Sequence, residues 1–421
     1  MKALKIFPAL LIIALLFSSC ATPTAAPTAA PVATDASVAT EAPAAVDEVP
    51  AVCATDPFGC AVFAPGDVVK IGMGAPLTGG DASFGLDISQ GAAVAAKDAG
   101  TFNGVTFELV AEDDGGTPEG GAAVANKFAA DQAVVAVAGH IYSGASAAAM
   151  PIYEGVGIPM LSPSASNPPL TEQGSKVFNR IVFTDQTSAD ITAKYLFQKL
   201  SVKKLALIHD GQDYGKGLAE LVGASFAALG GEVVVEEAIT PKETDFTAVL
   251  AVIAAKKPDA IFFGGYTSEG SIVANQMKST GLENAVFFGC DGTFGAEFLT
   301  RTGANGEGAF AVSLTPLDTP AKVAFDAAYE GAYGKKPGEL SPYTWNGYDS
   351  TAALIDRVKS VAVVNAVGKV FIPRSELVAA VRGLKDYVGI SGSFTCDDKG
   401  ECNANGPLFM VIKDGAWVPA P

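Results

Sequence analysis

Histidine and tryptophan are scarce in this chain, with two residues of each type among 421. Because His140 and His209 are its only imidazole groups, the sequence offers few members for a Ser-His-Asp triad or a histidine-rich metal site. It also has no P-loop, no dinucleotide-binding glycine motif and no G-x-S-x-G nucleophile elbow. An enzymatic function therefore has no candidate catalytic residues, and neither a metal nor another cofactor is expected.

Basic residues are also few: 28 Lys and Arg stand against 45 Asp and Glu, which gives a formal net charge of −17. Such an acidic chain repels phosphate backbones, so a nucleic acid is not expected as a partner. At 421 residues, 49% of them hydrophobic, the chain is too long for one ordinary core. Two lobes are the natural expectation.

The apolar run near the N-terminus, Ile6 to Phe17, is too short for an ordinary membrane span. Lys2 and Lys5 flank it on one side, and small residues ending at Cys20 follow it, which is the layout of a secretory signal. Because a cysteine closes the segment, it resembles a bacterial lipoprotein signal, in which this cysteine is lipidated. The alternative is plain secretion with cleavage near Ser19.

Alanine, threonine and proline dominate the stretch after the signal, which has almost nothing large to bury. Prolines favour extended, semi-rigid conformations that reach roughly 3 Å per residue. Residues 1–20 are therefore predicted to be the signal peptide and residues 21–66 a tether. Together they place the folded body outside the cytoplasm, anchored to the cell membrane through Cys20.

Export also affects the other cysteines, because disulfides persist outside the cytoplasm. Two pairs are close in sequence, Cys53 with Cys60 and Cys396 with Cys402, and both are predicted to be bridged. A zinc site is the alternative, but it needs four ligands at suitable spacing, and neither histidine lies near these pairs. Cys290 remains as a small buried hydrophobic residue at a strand end.

From Asp67 onward, short β-branched runs alternate with longer Ala-rich amphipathic segments, a rhythm typical of βαβ units and parallel sheets. The predicted strands are Val68–Gly74, Thr106–Ala111, Val134–Ala138, Ile158–Leu161, Val177–Phe183, Lys204–His209, Glu232–Ala238, Ala260–Gly264, Val286–Gly289 and Ala309–Ser313. The predicted helices are Leu86–Ala99, Pro118–Ala130, Ser143–Tyr153, Ser188–Leu200, Lys322–Tyr333, Trp345–Val358 and Arg374–Leu384. The fold class is thus α/β, with two doubly wound parallel-sheet lobes.

The late helices have too few strands for a third α/β domain, so they are expected to complete the two lobes through several hinge crossovers. The predicted boundaries are 67–184 and 316–390 for an N-lobe, and 187–314 and 391–421 for a C-lobe.

Polar and aromatic residues cluster where the predicted strands end. Ligands of open α/β sheets collect beyond the carboxyl ends of the strands, where loops and helix N-termini expose polar backbone groups. The loops of the two units can therefore face one cleft, and the residues concerned are Phe84, Tyr142, Ser143, Ser164, Ser166, Tyr214, Tyr266 and Asp291.

Four segments in order, "GHIYSGASAAAMPIYE", "LSPSASNPPLT", "IHDGQDYGKGLAE" and "GGYTSEG", make the chain from about Asp67 to its end resemble the leucine/isoleucine/valine-binding proteins. Those proteins are substrate-binding subunits of ABC amino-acid importers. The resemblance implies the type I periplasmic binding protein fold, with two lobes joined by three hinge strands. It also implies an ABC permease complex as partner and an amino acid, branched-chain or otherwise hydrophobic, as ligand.

The resemblance implies roles for individual residues. Ser143 matches the serine that binds the ligand carboxylate, and Ser164 and Ser166 match residues that add polar contacts. Tyr214 and Tyr266 match tyrosines of the closing lobe. Phe84 replaces an aromatic residue near the ligand side chain, and Asp291 stands where a glutamate commonly meets the ligand ammonium. The full predicted ligand-binding set is Phe84, Tyr142, Ser143, Ser164, Ala165, Ser166, Tyr214, Tyr266 and Asp291.

Simpler roles remain open for several of these residues: Ser143 as a helix cap, Tyr214 as packing against its helix, and Asp291 as the start of a turn. Two alternative functions also remain open. The protein could be a ligand-sensing ectodomain protein that docks on a receptor, or it could bind an amide or a small carboxylic acid.

Overall fold

The computed structural model describes residues 46–402 and 406–421. The signal peptide, Cys20 and the part of the tether before residue 46 therefore lie outside the described residues. In the described part, no helix combines the length and the apolar character needed to cross a bilayer.

The helices and strands follow the alternation that the sequence predicts. The helices are α1 (Ala51–Thr55), α2 (Ala82–Asp98), α3 (Pro118–Ala130), α4 (Ser143–Glu154), α5 (Pro169–Glu172), α6 (Asp185–Lys194), α7 (Asp213–Ala228), α8 (Thr247–Lys256), α9 (Thr267–Met277), α10 (Ala296–Thr302), α11 (Pro320–Tyr333), α12 (Thr344–Val361) and α13 (Arg374–Arg382). The strands are β1 (Cys60–Phe63), β2 (Val68–Ala75), β3 (Thr101–Phe102), β4 (Val105–Asp113), β5 (Val134–Val137), β6 (Met160–Ser162), β7 (Phe178–Arg180), β8 (Lys204–His209), β9 (Glu232–Ala238), β10 (Ala260–Gly264), β11 (Val286–Gly289), β12 (Phe310–Ser313), β13 (Val363–Val364), β14 (Val370–Pro373), β15 (Tyr387–Val388), β16 (Ser393–Phe394), β17 (Leu408–Lys413) and β18 (Ala416–Pro419).

The first large sheet has the strand order β3-β4-β2-β5-β6-β7, and all its pairings are parallel except that of β3 with β4. Strand β2 lies in its interior and is almost wholly buried, as expected for a parallel strand covered on both faces. Helix α3 begins with Pro118 in its first turn and Thr117 as N-cap, whose hydroxyl accepts a hydrogen bond from the Gly120 N–H.

The second large sheet has the order β18-β17-β12-β11-β10-β8-β9, in which β8 to β12 are parallel. The hairpin β17–β18 adds antiparallel strands beyond β12. No strands were predicted there, because "LFMVIK" follows a glycine-rich stretch and has no clear alternation of polar and apolar residues. The two sheets confirm the predicted fold class.

The chain crosses between the two sheets more than once. It leaves the first sheet after β7, and after β12 it returns to pack α11 and α12 against α2. It then re-enters the second sheet as β17. Helices α11 and α12 therefore pack on the part of the fold that begins the chain.

Helix α6 begins three residues before the predicted start at Ser188. Thr184 caps it, because its hydroxyl accepts a hydrogen bond from the Thr187 N–H, and Asp185 becomes the first helical residue. The predicted helix continues as a single π-helical turn over Tyr195–Lys199.

Part of the expected tether is folded. Helix α1 and strand β1 lie within residues 21–66, and β1 pairs antiparallel with β14. Ala61 and Phe63 of β1 are buried, so this segment has the apolar side chains that the preceding Ala/Thr/Pro-rich stretch lacks. Both predicted disulfides are present, Cys53–Cys60 in this segment and Cys396–Cys402 near the end.

Candidate functional site

The carboxyl ends of both sheets present polar side chains to each other. On the first sheet, Ser143 opens α4 after β5, and Ser164 follows β6. On the second sheet, Tyr266 follows β10 and Asp291 follows β11. These are the positions at which parallel sheets bind ligands.

Most of the predicted binding residues line one small cavity of about 10 Å³ between the two sheets. The lining residues are Phe84, Ile141, Ser143, Ser164, Tyr214, Tyr266, Asp291 and Tyr343. Tyr142, Ser143, Tyr214 and Tyr266 also line a neighbouring, larger cavity of about 240 Å³.

Aromatic rings fill the cleft. Tyr142 of the first unit stacks on Tyr266 of the second with ring centroids 3.9 Å apart and planes within 4°. Phe84 meets both of them edge-on at about 6 Å and makes a similar contact with Tyr343. The Tyr142 hydroxyl is buried and has no hydrogen-bond partner among the described residues. This aromatic cluster joins the two units and is polar only at its hydroxyl groups.

Asp291 lies at the centre of the polar part. Its two carboxylate oxygens accept hydrogen bonds from the Tyr214 hydroxyl at 2.7 Å and the Tyr343 hydroxyl at 2.8 Å. Burial raises the pKa of the Asp291 carboxyl, although both tyrosines oppose that shift. The residue begins a short 3₁₀ turn, but its carboxylate is directed to the two tyrosines. Starting a turn is therefore not its whole role.

Asp185 is the second buried carboxylate of this region, and the sequence analysis missed it. Neither of its oxygens has a hydrogen-bond partner among the described residues, and the neighbouring Ser166 hydroxyl lacks one as well. Burial raises the pKa of Asp185 to about 8; the neighbouring Ser166 hydroxyl and the positive charge of Arg180 oppose that shift, and the negative charge of Asp291 adds to it. A cationic group with N–H donors would suit this carboxylate, because an unpaired buried acid is costly.

Tyr343 was missed for a different reason. It lies immediately before α12, about fifty residues from Asp291 in sequence, and only the packing of α12 on α2 brings its hydroxyl to that carboxylate. The dense aromatic segment "SPYTWNG" is the signal in the sequence that could have drawn attention to it.

The serines hold the binding loops together. The Ser143 hydroxyl accepts the Asn167 N–H at 3.3 Å, and the Ser164 hydroxyl donates to the Ile141 carbonyl at 2.7 Å. Tyr142, not Ser143, occupies the N-cap position of α4, and no side chain caps this helix. The alternative role of Ser143 as a plain helix cap is therefore wrong.

Ala165 and Ser166 are buried beside the cavity rather than along its wall. The Ala165 carbonyl accepts a hydrogen bond from the Arg180 guanidinium at 3.2 Å. Contact of a ligand with these two residues, as with the rest of the predicted set, stays a prediction.

Two buried side chains near the site, His140 and Cys290, make hydrogen bonds within the fold. His140 bonds Asp114 at 2.8 Å through Nδ1 and the Tyr153 hydroxyl at 2.9 Å through Nε2, all of them buried. Cys290 is buried after β11, its thiol donates to the Gly265 carbonyl, and burial raises its pKa to about 12. The prediction of a small buried residue at a strand end is confirmed for Cys290.

Within residues 46–402 and 406–421, no group of three or more His, Cys, Asp or Glu side chains is arranged to hold a metal ion. The zinc alternative for the four paired cysteines is wrong, because both pairs form disulfides.

Two doubly wound units whose loops enclose a small buried cavity define a two-lobed solute-binding protein. The chain belongs to the periplasmic binding protein family, whose model matches residues 68–416. Proteins of this family act outside the cytoplasm, in agreement with the predicted export signal.

Three relatives illustrate the match. The Leu/Ile/Val-binding protein homolog 1 of Brucella abortus (strain 2308) is 30% identical over 369 residues, which are 87% of this chain and 95% of that protein. The leucine-binding protein LivK of Thermotoga maritima superposes with a TM-score of 0.75 at 26% identity, over 84% of this chain and 98% of that one. LivJ of Streptococcus pneumoniae, solved in complex with isoleucine, superposes with a TM-score of 0.73 at 28% identity, over 83% of this chain and 97% of that one.

Proposed function

We propose that this protein binds a hydrophobic amino acid between its lobes and delivers it to an ABC importer. The observation that carries the proposal is the buried Asp291 carboxylate, which shares one cavity with Ser143 at the start of α4 and with aromatic rings, and which has a second buried carboxylate, Asp185, close enough to raise its energy when both are charged. Relatives named as leucine/isoleucine/valine-binding proteins support the choice of ligand class.

The two ends of an amino acid match the two ends of this site. A ligand carboxylate fits the N-terminus of α4, where free N–H groups and the helix dipole favour an anion and Ser143 adds a hydroxyl. A ligand ammonium fits the two buried acids, because Asp291 accepts hydrogen bonds only from the neutral hydroxyls of Tyr214 and Tyr343 among the described residues, and the cation nearest in effect to Asp185, Arg180, is paired with Glu401. The ammonium would stabilise the ionised form of both acids.

The aromatic cluster favours an apolar side chain on the ligand. Phe84, Tyr142 and Tyr266 offer ring faces and edges, and a hydrophobic group inserted among them is removed from water. Binding, not chemistry, is the proposed function, and no residue receives a catalytic role.

Closure of the two lobes around the ligand is the expected response. The structure describes the closed arrangement, in which the Asn167 side chain donates to the Asp213 carbonyl at 2.5 Å and the Ser268 N–H donates to Asp81 at 3.2 Å across the cleft. Without ligand, the lobes are expected to separate in solution. Adding L-leucine or L-isoleucine to a form beginning at residue 46 should lower its radius of gyration in solution scattering, because closure compacts the protein. An unchanged radius despite calorimetrically confirmed binding would contradict closure.

We also propose that Cys20 carries a lipid that anchors the protein to the membrane. Wild-type protein expressed in a bacterium with an alkyne-tagged fatty acid should be labelled and sediment with membranes, whereas Cys20→Ser should not be labelled. Cys290→Ser is the matched control and should label like wild type, because Cys290 is buried in the fold. Absence of label on the wild type would contradict lipidation of Cys20 and favour plain secretion.

A further inference from the structure

The loop closed by Cys396–Cys402 lies against the first sheet. The Arg180 N–H donates to the Gly400 carbonyl at 3.0 Å, and the Cys402 N–H donates to the Arg180 carbonyl at 2.9 Å. Glu401 forms a parallel bridge with Arg180 beside the end of β7. The disulfide loop, residues 396–402, therefore continues the edge of the sheet.

The turn inside the disulfide loop is fixed from both ends. One oxygen of the Asp397 carboxylate accepts the backbone N–H groups of Lys399, Gly400 and Glu401, each at 2.9 Å. The disulfide joins the two ends of the same turn, six residues apart. Glu401 consequently leaves the loop in a defined direction.

Glu401 pairs with the buried guanidinium of Arg180. Nε of Arg180 donates to one carboxylate oxygen at 2.9 Å and Nη2 to the other at 2.5 Å. Thr171 also donates to Glu401 at 2.5 Å and accepts from Nη2 at 2.9 Å. Arg180 is 0% exposed, so this two-point pairing fixes its plane.

The third nitrogen of Arg180, Nη1, contacts the loop that carries the serines of the candidate ligand site. Nη1 donates to the Asn167 carbonyl at 2.7 Å and to the Ala165 carbonyl at 3.2 Å. Both carbonyls belong to the serine loop, residues 162–167, which carries Ser164 and Ser166. Arg180 thus holds the backbone of this loop from behind.

We propose that Glu401 is a positioning residue: through Arg180, the disulfide loop fixes the conformation of the serine loop and so sets the affinity for ligand. Breaking Cys396–Cys402 frees Glu401, the guanidinium loses its anchor, and the serine loop gains mobility. The effect on ligand affinity rests on the proposed function. The effect on loop mobility does not.

Hydrogen exchange of the ligand-free full chain tests the mobility directly. In Glu401→Gln, and in the double variant Cys396→Ser/Cys402→Ser, amide exchange of the peptide covering residues 162–171 should accelerate about tenfold or more, because local opening becomes easier. Exchange in β8 should stay as in wild type. Matched controls are Lys399→Gln, an exposed charge in the same loop, and Cys53→Ser/Cys60→Ser, which removes the other disulfide.

Exchange at the wild-type rate in residues 162–171 of both test variants would overturn the proposal. An equal acceleration throughout the chain would also overturn it, because that pattern indicates a merely structural salt bridge. If Glu401→Gln does not fold, dithiothreitol treatment of Cys53→Ser/Cys60→Ser, which leaves Cys396–Cys402 as the reducible bond, supplies the same comparison.

Calorimetry with L-leucine tests the second part of the proposal, the effect of Glu401 on ligand affinity. Glu401→Gln should bind at least about tenfold more weakly than Lys399→Gln at a temperature where both are folded. Faster loop exchange with unchanged L-leucine affinity would overturn the link to binding. If the wild type does not bind L-leucine, the comparison is made with the hydrophobic amino acid that it does bind. If it binds none, the proposed ligand class fails, whereas the exchange result still decides whether Glu401 positions the loop.

Discussion

Asp291→Asn is expected to lower the affinity for L-leucine by about 30- to 4,000-fold, the cost of about 2–5 kcal/mol for removing one member of a buried hydrogen-bonded charge pair. Asparagine keeps the shape and can still bond Tyr214 or Tyr343, but it cannot balance the charge of an ammonium group. The measurement is calorimetry on both proteins with L-leucine and with 4-methylpentanoate, its deaminated analogue.

The analogue should lose less affinity than L-leucine, because it brings no ammonium to position 291. Asp245→Asn is the matched control, since Asp245 is exposed in the second unit and makes the same local turn contacts as asparagine would. Equal L-leucine affinities of wild type and Asp291→Asn would remove Asp291 from the site.

Asp185→Asn is expected to abolish a large part of the pH dependence of the free energy of unfolding of the ligand-free protein. Its carboxyl has a pKa of about 8 in the fold, well above the ordinary value near 3.9. The folded protein therefore retains this proton longer than the unfolded chain. The stability that Asp185 contributes is complete below about pH 4 and is lost as the pH rises towards 8.

Urea unfolding at pH 5 and pH 8 measures this effect. The free energy of unfolding of wild type relative to Asp185→Asn should fall by up to about 4 kcal/mol over these three pH units, at 1.36 kcal/mol each. Asp81 and Asp210, whose pKa values burial raises to about 6 and about 7, are present in both proteins, so their contribution cancels in the difference.

L-leucine should shrink the difference between the two pH profiles, because its ammonium group stabilises the ionised Asp185. Parallel profiles of wild type and Asp185→Asn without ligand would show that the carboxyl is not held neutral in the fold.

The local pattern of apolar and polar residues was enough to predict most strands of the two large sheets. Strands Lys204–His209, Ala260–Gly264 and Val286–Gly289 have the predicted bounds, because short apolar runs suit strands buried in parallel sheets. Strands β1 and β17 were not predicted. The partner of β1, β14, is far away in sequence, and so is β12, through which the hairpin of β17 and β18 joins the second sheet.

The candidate site was predictable where it follows strand ends. Tyr266 and Asp291 come two residues after a strand and Ser143 opens the helix that follows β5, so topology gathers them. Asp185 also follows a strand, β7, but it was missed because the start of its helix was predicted three residues too late, at Ser188. The role of Arg180 was hidden for another reason: its partner Glu401 is 221 residues away and depends on a disulfide turn.

Calorimetric titration of the wild type with the twenty amino acids and their deaminated analogues tests the central claim most directly. We expect saturable one-to-one binding of a branched-chain or other hydrophobic amino acid, and binding of its deaminated analogue weaker by tenfold or more. Binding of a small carboxylic acid or amide in preference to every amino acid would contradict the account, because Asp185 and Asp291 would then face a ligand without an ammonium group.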